Sequence, residues 1–365
     1  MIDLVPLIDT LGENGAALAG GAVLGLVFGI AAQRSAFCTR SAVIGLFGTD
    51  RRAAAIWLAG FAAAILAVQW LIGNGSVDVA ETRFFSTAQS LSGALIGGGF
   101  FGLGMVLARG CVSRHLVLAA GGNIRALVTT LVIALTGLAT YSGVLVPARD
   151  AIGGLWNTAT IGGNDLLAHA GLGQGAGIAI GAALAIAALA LALAARASAW
   201  RILGGVAVGL AVAGGWYFTY TLSLQVFEPI QAESLSFIRP LATTGELATG
   251  AAEGFGLDQG VLIGTLAGAF LAALAFGEFR LSGFRDPGAA AAWRYPAGGA
   301  LMGFGGILAV GCTIGAGFTG GAVLAVSALA GLGAMVASAA LAHRIIDVPA
   351  GTRRSAASAV AQPAE

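Results

Sequence analysis

Gly102-Leu-Gly-Met-Val-Leu-Ala-Arg-Gly-Cys111 recurs further along the chain as Gly303-Phe-Gly-Gly-Ile-Leu-Ala-Val-Gly-Cys312, with Gly, Gly, Leu, Ala, Gly and Cys in register. A ten-residue stretch repeated once in this way reads as an internal duplication. Keeping a thiol beside a glycine in each copy points to a symmetric membrane pore or carrier whose thiols lie near its axis.

The composition around the repeat agrees. Hydrophobic residues make up 58% of the 365 and charged residues 10%, and the mean hydropathy is +0.90, far from the balance of soluble domains. An integral membrane protein in a lipid bilayer is expected. Gly supplies 59 residues, grouped inside apolar runs such as Gly21, Gly25 and Gly29, or Gly97-Gly98-Gly99, which lets helices approach closely in lipid. A net charge of +1 gives no footprint for nucleic acid, so no nucleic-acid partner is expected. All basic residues are Arg. Asp3, Asp9 and Glu13 stand where a signal peptide would be positive, so the first helix is expected to remain.

Cys38, Cys111 and Cys312 cannot all pair, and no Cys-x-x-Cys is present, so neither a disulfide framework nor a zinc site is indicated. With only three His, haem ligation is not expected, and no cofactor is anticipated.

A bilayer core takes about 20 apolar residues per helix. Suitable runs fall near 16–33, 53–73, 91–109, 123–146, 172–195, 200–221, 259–278, 297–311 and 321–343, an all-α protein of about nine crossings. Arg51, Arg52, Arg125, Arg196, Arg201, Arg280, Arg285, Arg294, Arg344, Arg353 and Arg354 then share one side, and only Arg83, Arg149 and Arg239 fall opposite. Basic loops stay cytoplasmic, so the N-terminus is expected outside and the C-terminus inside a cell's inner membrane. On this count the stretch ending at Cys111 runs inward and that ending at Cys312 runs outward. Residues 1–350 therefore read as one transport domain of two inverted halves, about 15–150 and 172–345. The small, polar 351–365 reads as a disordered cytoplasmic tail.

Three places look broken, 34–49, 109–122 and 311–321, each joining a cysteine to a short Gly- or Ser/Thr-rich run. Helix–loop–helix hairpins dipping into the membrane would read this way, since irregular backbone is tolerated there only where it lines a cavity. The polar intervals 74–90, 147–171 and 222–258 are read as outer loops, the last with a short surface helix.

Arg34 and Arg40 flank Cys38, and Arg109 and Arg114 flank Cys111. Arg at the bilayer centre costs about 3 kcal/mol, so each either contacts an anion or marks a helix end, and the sequence leaves both readings open. A lone Cys is usually a small buried hydrophobe. Three in such repeated settings instead suggest a soft group facing a sulfur-bearing ligand. Gly110, Gly311 and Thr313 would let backbone amides approach an anion. His115 is read as a satisfied polar residue at the inner boundary, and Glu278 with Arg280 as an ordinary helix end.

At Arg34-Ser-Ala-Phe-Cys38, Leu107-Ala-Arg-Gly-Cys111-Val-Ser-Arg114, Gly121-Gly-Asn123 and Gly311-Cys312-Thr-Ile-Gly315 the sequence resembles the YeeE/YedE family of sulfur-transport membrane proteins. The resemblance spans most of the chain. It implies thiosulfate uptake across the inner membrane through a narrow, hourglass-like path contacted by Cys38, Cys111 and Cys312. Family members often carry Gln where this chain has Ala316, so one polar contact is expected to be missing. Thiosulfate has a hard sulfonate end for Arg or backbone amides and a soft terminal sulfur for a thiol. A neutral thiol adds no charge against a dianion whereas a thiolate repels it, so the thiols are expected to be protonated.

Two other functions fit the same residues. One is a membrane sulfurtransferase passing persulfide sulfur to a small cytosolic acceptor thiol protein. The other is a non-sulfur anion channel whose cysteines only pack. The chain has no Lys, so it holds no phosphate-binding Gly-x4-Gly-Lys loop, which rules out ATP hydrolysis through that motif.

Overall fold

Nine apolar helical spans, each long enough to cross a bilayer, make up most of the described chain. The computed structural model describes residues 2–347 apart from 49, 228–229, 252–253 and 287–288. The expected tail at 351–365 lies outside the described residues. Among these residues there is no strand, only isolated bridges such as Ser90 with Asn157.

In chain order the helices are α1 (Val5–Ser35), α2 (Thr39–Phe47), α3 (Arg52–Gly73), α4 (Leu91–Ala108), α5 (Val112–Ala120), α6 (Ile124–Tyr141) and α7 (Val146–Gly153). They continue with α8 (Leu166–His169), α9 (Gly175–Ala194), α10 (Ala199–Ser223), α11 (Ile238–Thr249), α12 (Leu257–Ala275), α13 (Arg294–Leu308) and α14 (Val326–Ile346), with a π-helix over Thr313–Gly320 before the last. Local sequence sets several boundaries. The Ser90 hydroxyl accepts from the Gly93 amide at the start of α4, and the Asn123 side chain accepts from the Ala126 amide at the start of α6, the usual way of satisfying orphan amides at a helix start. Pro6 in the first turn of α1 gives up only an amide that had no partner there. Within α1 the backbone is non-helical at Gly12 (φ 74°), so a short piece from Val5 precedes the apolar run that the sequence places near 16–33.

Glycine decides how the spans meet. In α1, Gly21, Gly25 and Gly29 press on the backbone carbonyls of Leu257, Val261 and Thr265 of α12, while Gly260, Gly264 and Gly268 press on those of Leu18, Ala22 and Leu26. The two helices run the same way with backbones in contact along their length. In lipid, such close approach supplies the van der Waals contact that hydrophobicity cannot. Gly264→Leu is therefore expected to lower the melting temperature of the detergent-solubilised protein strongly, since a β-carbon there would collide with the Ala22 carbonyl and overpacking costs about 1–3 kcal/mol or more. Gly99→Ala, where an added β-carbon meets nothing, is the matched control and should leave it unchanged.

α4 and α13, which carry the repeated stretch, pack antiparallel. Gly97 lies on the Gly305 carbonyl and Gly305 on that of Gly97, and Gly104 and Gly298 exchange the same contacts. Alongside this pair, Gly98 and Gly102 of α4 meet the carbonyls of Gly331 and Met335 of α14, and Gly299 and Gly303 of α13 meet those of Thr129 and Ile133 of α6.

One end of the bundle gathers the arginines. Arg34 pairs with Glu278 at 2.5 Å, Arg40 and Arg294 converge on Asp347 at 3.0 and 2.8 Å, and Arg125 lies 3.9 Å from Asp286. At the opposite end, Asn164 donates to the Phe84 carbonyl and accepts from the Ser327 amide, and Arg239 joins Glu233 and Asp258. Residues 222–258 depart from the outer loop that the sequence suggested. Ala232 to Phe237 are buried as extended chain and α11 follows directly, because this backbone finds partners inside: Thr219 donates to the Glu233 carbonyl, Ser234 to that of Val212, and Thr319 to that of Leu235.

Candidate functional site

All three cysteines occupy the same local structure. In each case a residue with left-handed backbone, Ala36 (φ 54°), Arg109 (φ 64°) or Val310 (φ 57°), ends a long helix. Two residues later comes Cys38, Cys111 or Cys312, at the N-cap position of α2, α5 or the π-helix. Left-handed backbone in a non-glycine residue is uncommon and strained. Its use three times two residues ahead of a thiol marks these turns as built features. The helix N-termini put free amides and the positive end of the helix dipole beside each sulfur. Cys111 and Cys312 are fully buried and Cys38 nearly so, and none of the three is in a disulfide.

The structure brings two of the thiols together. Cys38 and Cys111 lie close enough for their side chains to interact, with Ser41 near the Cys38 sulfur and Thr39 near that of Cys111. Ser113 Oγ lies 3.4 Å from Cys111 Sγ. The start of α2 thus serves both thiols, a contact across 73 residues of sequence that no local pattern announces. Mild oxidation with diamide is expected to join Cys38 to Cys111, seen as a cross-linked peptide by mass spectrometry, while Cys312 stays free.

Cys312 stands apart, its sulfur accepting from the Gly315 amide at 3.5 Å. Gly311 is required here, because a β-carbon would strike the Ala316 amide. Thr313 is buried and its hydroxyl has no partner. Gly315 packs against Ser236 of the extended segment. The π-helix then carries Phe318 into a cluster with Phe37, Trp57 and Phe61, at ring separations of 5.5, 5.2 and 5.4 Å. Phe318 therefore connects the Cys312 segment to the residue preceding Cys38.

The arginines divide. Arg34 is held by Glu278 and lies over the Phe276 ring at 3.6 Å, so Glu278 is more than a helix end, since it anchors the break before Cys38. Arg114 keeps a buried Nη1 without a partner. Arg109 lines a cavity of about 160 Å³ at the arginine-rich end, together with His115 and Arg125. His115 departs from expectation: it is buried, and neither ring nitrogen has a hydrogen-bond partner. Gly110 makes room for that imidazole, since a β-carbon on it would lie 3.1 Å from Nε2.

The sequence missed Ser236, Phe318 and the burial of 232–237. A signal existed in Ser234-Leu-Ser-Phe237, whose polar and apolar residues alternate with the period of extended chain.

Nine apolar spans among the described residues, three of them broken at a buried cysteine, are the architecture of a multi-pass membrane transporter. The chain matches the sulphur transport family over residues 34–341 and belongs to it, the YeeE/YedE family, whose function is sulfur transport. No curated protein matches the chain significantly.

Proposed function

We propose that the protein imports thiosulfate, or a closely related sulfur-bearing anion, through a narrow path along which Cys312, Cys111 and Cys38 make successive contacts. The observation that carries this reading is the repeated unit of left-handed residue, spacer and capping cysteine. Each unit offers an anion what it needs in a dry interior: backbone amides and a dipole for negative charge, and beside them a neutral thiol that donates to the soft sulfur. Weak contacts in series suit flux, because a site that binds must also release.

The glycine contacts support two inverted halves. Adding 201, the separation of Cys111 from Cys312, to Gly97 and Gly104 gives Gly298 and Gly305, so the contact of Gly97 with Gly305 maps onto that of Gly298 with Gly104. The contacts of α4 with α14 map likewise onto those of α13 with α6, within one residue. Such reciprocity is what a two-fold axis lying in the membrane plane would produce. In this reading the arginine-rich end faces the cytoplasm and the N-terminus lies outside. The thiols are buried in a closed neck, so passage requires the Phe318 cluster to shift.

A cytosolic thiol protein drawing sulfur from the arriving ion would keep import running downhill. The experiment that separates transport from sulfur transfer uses thiosulfate labelled separately in its two sulfurs. Equal accumulation of both labels inside proteoliposomes is expected; arrival of the terminal sulfur alone, with a persulfide on a cysteine, would favour the sulfurtransferase.

A further inference from the structure

The cavity at the arginine-rich end is lined by residues on both sides of Cys111 in the sequence, Arg109 before it and His115 after it. Its walls include Arg109, His115, Asn123, Arg125 and Tyr295, and no carboxylate lines it. His115 is one helical turn beyond Cys111, its amide donating to the Cys111 carbonyl at 3.0 Å. Its ring is 2% exposed, and both nitrogens lack hydrogen-bond partners. The Gly110 backbone lies near the ring without reaching hydrogen-bond geometry. An unsatisfied buried imidazole is costly, so its position calls for a ligand in the space it faces.

The other groups fit an oxyanion. Arg125 donates its Nε to the Asn123 side-chain oxygen at 3.5 Å and places Nη2 3.9 Å from Asp286, too far for a direct hydrogen bond, so that its terminal nitrogens keep donors for a ligand. Asn123 spends its side-chain oxygen on the Ala126 amide at 3.1 Å, which leaves its amide nitrogen as a donor. Arg109 adds a second positive charge, and Arg114 a third close to His115. About 160 Å³ holds one tetrahedral ion with a few waters, a water's share of liquid volume being about 30 Å³. Two guanidinium groups, an imidazole and an amide suit the oxygens of such an ion, whereas no thiol faces it.

We propose that this cavity is a second anion site, selective for tetrahedral oxyanions through their oxygens, where the sulfonate end of the cargo lands after leaving Cys111 and Cys38. It binds sulfate as well as thiosulfate, unlike the thiol neck, which reads the soft sulfur. The site's place in the transport route rests on the thiosulfate reading above; its ligand chemistry does not.

The test measures sulfate binding to the detergent-solubilised protein by thermal stabilisation, at constant ionic strength in chloride. Wild type and Cys111→Ala should be stabilised equally, and half-saturation should rise at least about tenfold in His115→Phe, which keeps the ring volume, and in Arg125→Gln. If His115→Phe fails to accumulate, Arg125→Gln alone gives the answer. Unchanged sulfate affinity in the variants, an equal effect of chloride, or loss of the effect in Cys111→Ala would overturn the proposal. Sulfate binding that follows this pattern in a protein that imports no thiosulfate would uphold the site while removing the thiosulfate reading.

Discussion

Cys111→Ala is expected to reduce thiosulfate uptake by about ten- to a hundred-fold while leaving the protein folded. The size follows from losing one hydrogen bond to a charged partner, worth about 1.5–3 kcal/mol, at a rate of tenfold per 1.4 kcal/mol. The substitution also deprives Cys38 of the neighbouring thiol. Cys111→Ser, which keeps a donor of similar size, should fall between. Cys312→Ala should act in the same direction through a different route, since Cys312 Sγ also accepts from the Gly315 amide and so steadies the first turn of the π-helix. Initial rates in proteoliposomes, with melting temperature as the folding control, distinguish these effects. Full activity in both alanine variants would remove the thiols from the path.

The largest expected effect on stability lies at the other end of the bundle. Arg239 engages both oxygens of Glu233 and both of Asp258, and Asp258 also accepts from Thr243. The Glu233 side chain is only 8% exposed and that of Asp258 15%. Burial alone would weaken the guanidinium's hold on its proton, but the two carboxylates outweigh burial and raise its pKa above the usual arginine range. Arg239→Ala leaves two largely buried carboxylates facing each other, and breaking such a pair costs about 3–5 kcal/mol. Arg83 remains 3.7 Å from Glu233 and holds the loss toward the lower figure. Arg239→Lys keeps the charge without the planar fork and should be intermediate. Unfolding in detergent measures both. The network also tethers the extended segment that packs on Gly315, so the alanine variant should slow transport even where it still folds.

Much of this architecture could be read in advance, and the reason is physical. Spanning lipid demands about 20 apolar residues with every backbone group paired internally, so α3, α4 and α10 announce themselves by composition. Repetition of the Leu-Ala-x-Gly-Cys pattern singled out Cys111 and Cys312 without geometry. Three features were not legible. The pairing of Cys38 with Cys111 depends on where α2 starts relative to α5, which is tertiary. The left-handed backbone at Ala36, Arg109 and Val310 involves three residue types with no common preference for it, so only the surrounding fold imposes it. His115 was read as satisfied because buried polar groups nearly always are; it departs from that rule beside a cavity with two arginines, where a departure carries meaning. Residues 232–237 misled for the opposite reason. Their Ser and Glu suggested water, but the hydroxyls and carbonyls of this stretch are answered inside the protein by Thr219, Val212 and Thr319.

The measurement that tests the central claim most directly is uptake of radiolabelled thiosulfate into proteoliposomes, wild type against Cys111→Ala, with and without excess sulfate outside. Uptake that depends on Cys111 and persists at high sulfate is the predicted result. Uptake that is unaffected by the substitution, or that sulfate abolishes, would contradict a path that recognises its cargo through thiols.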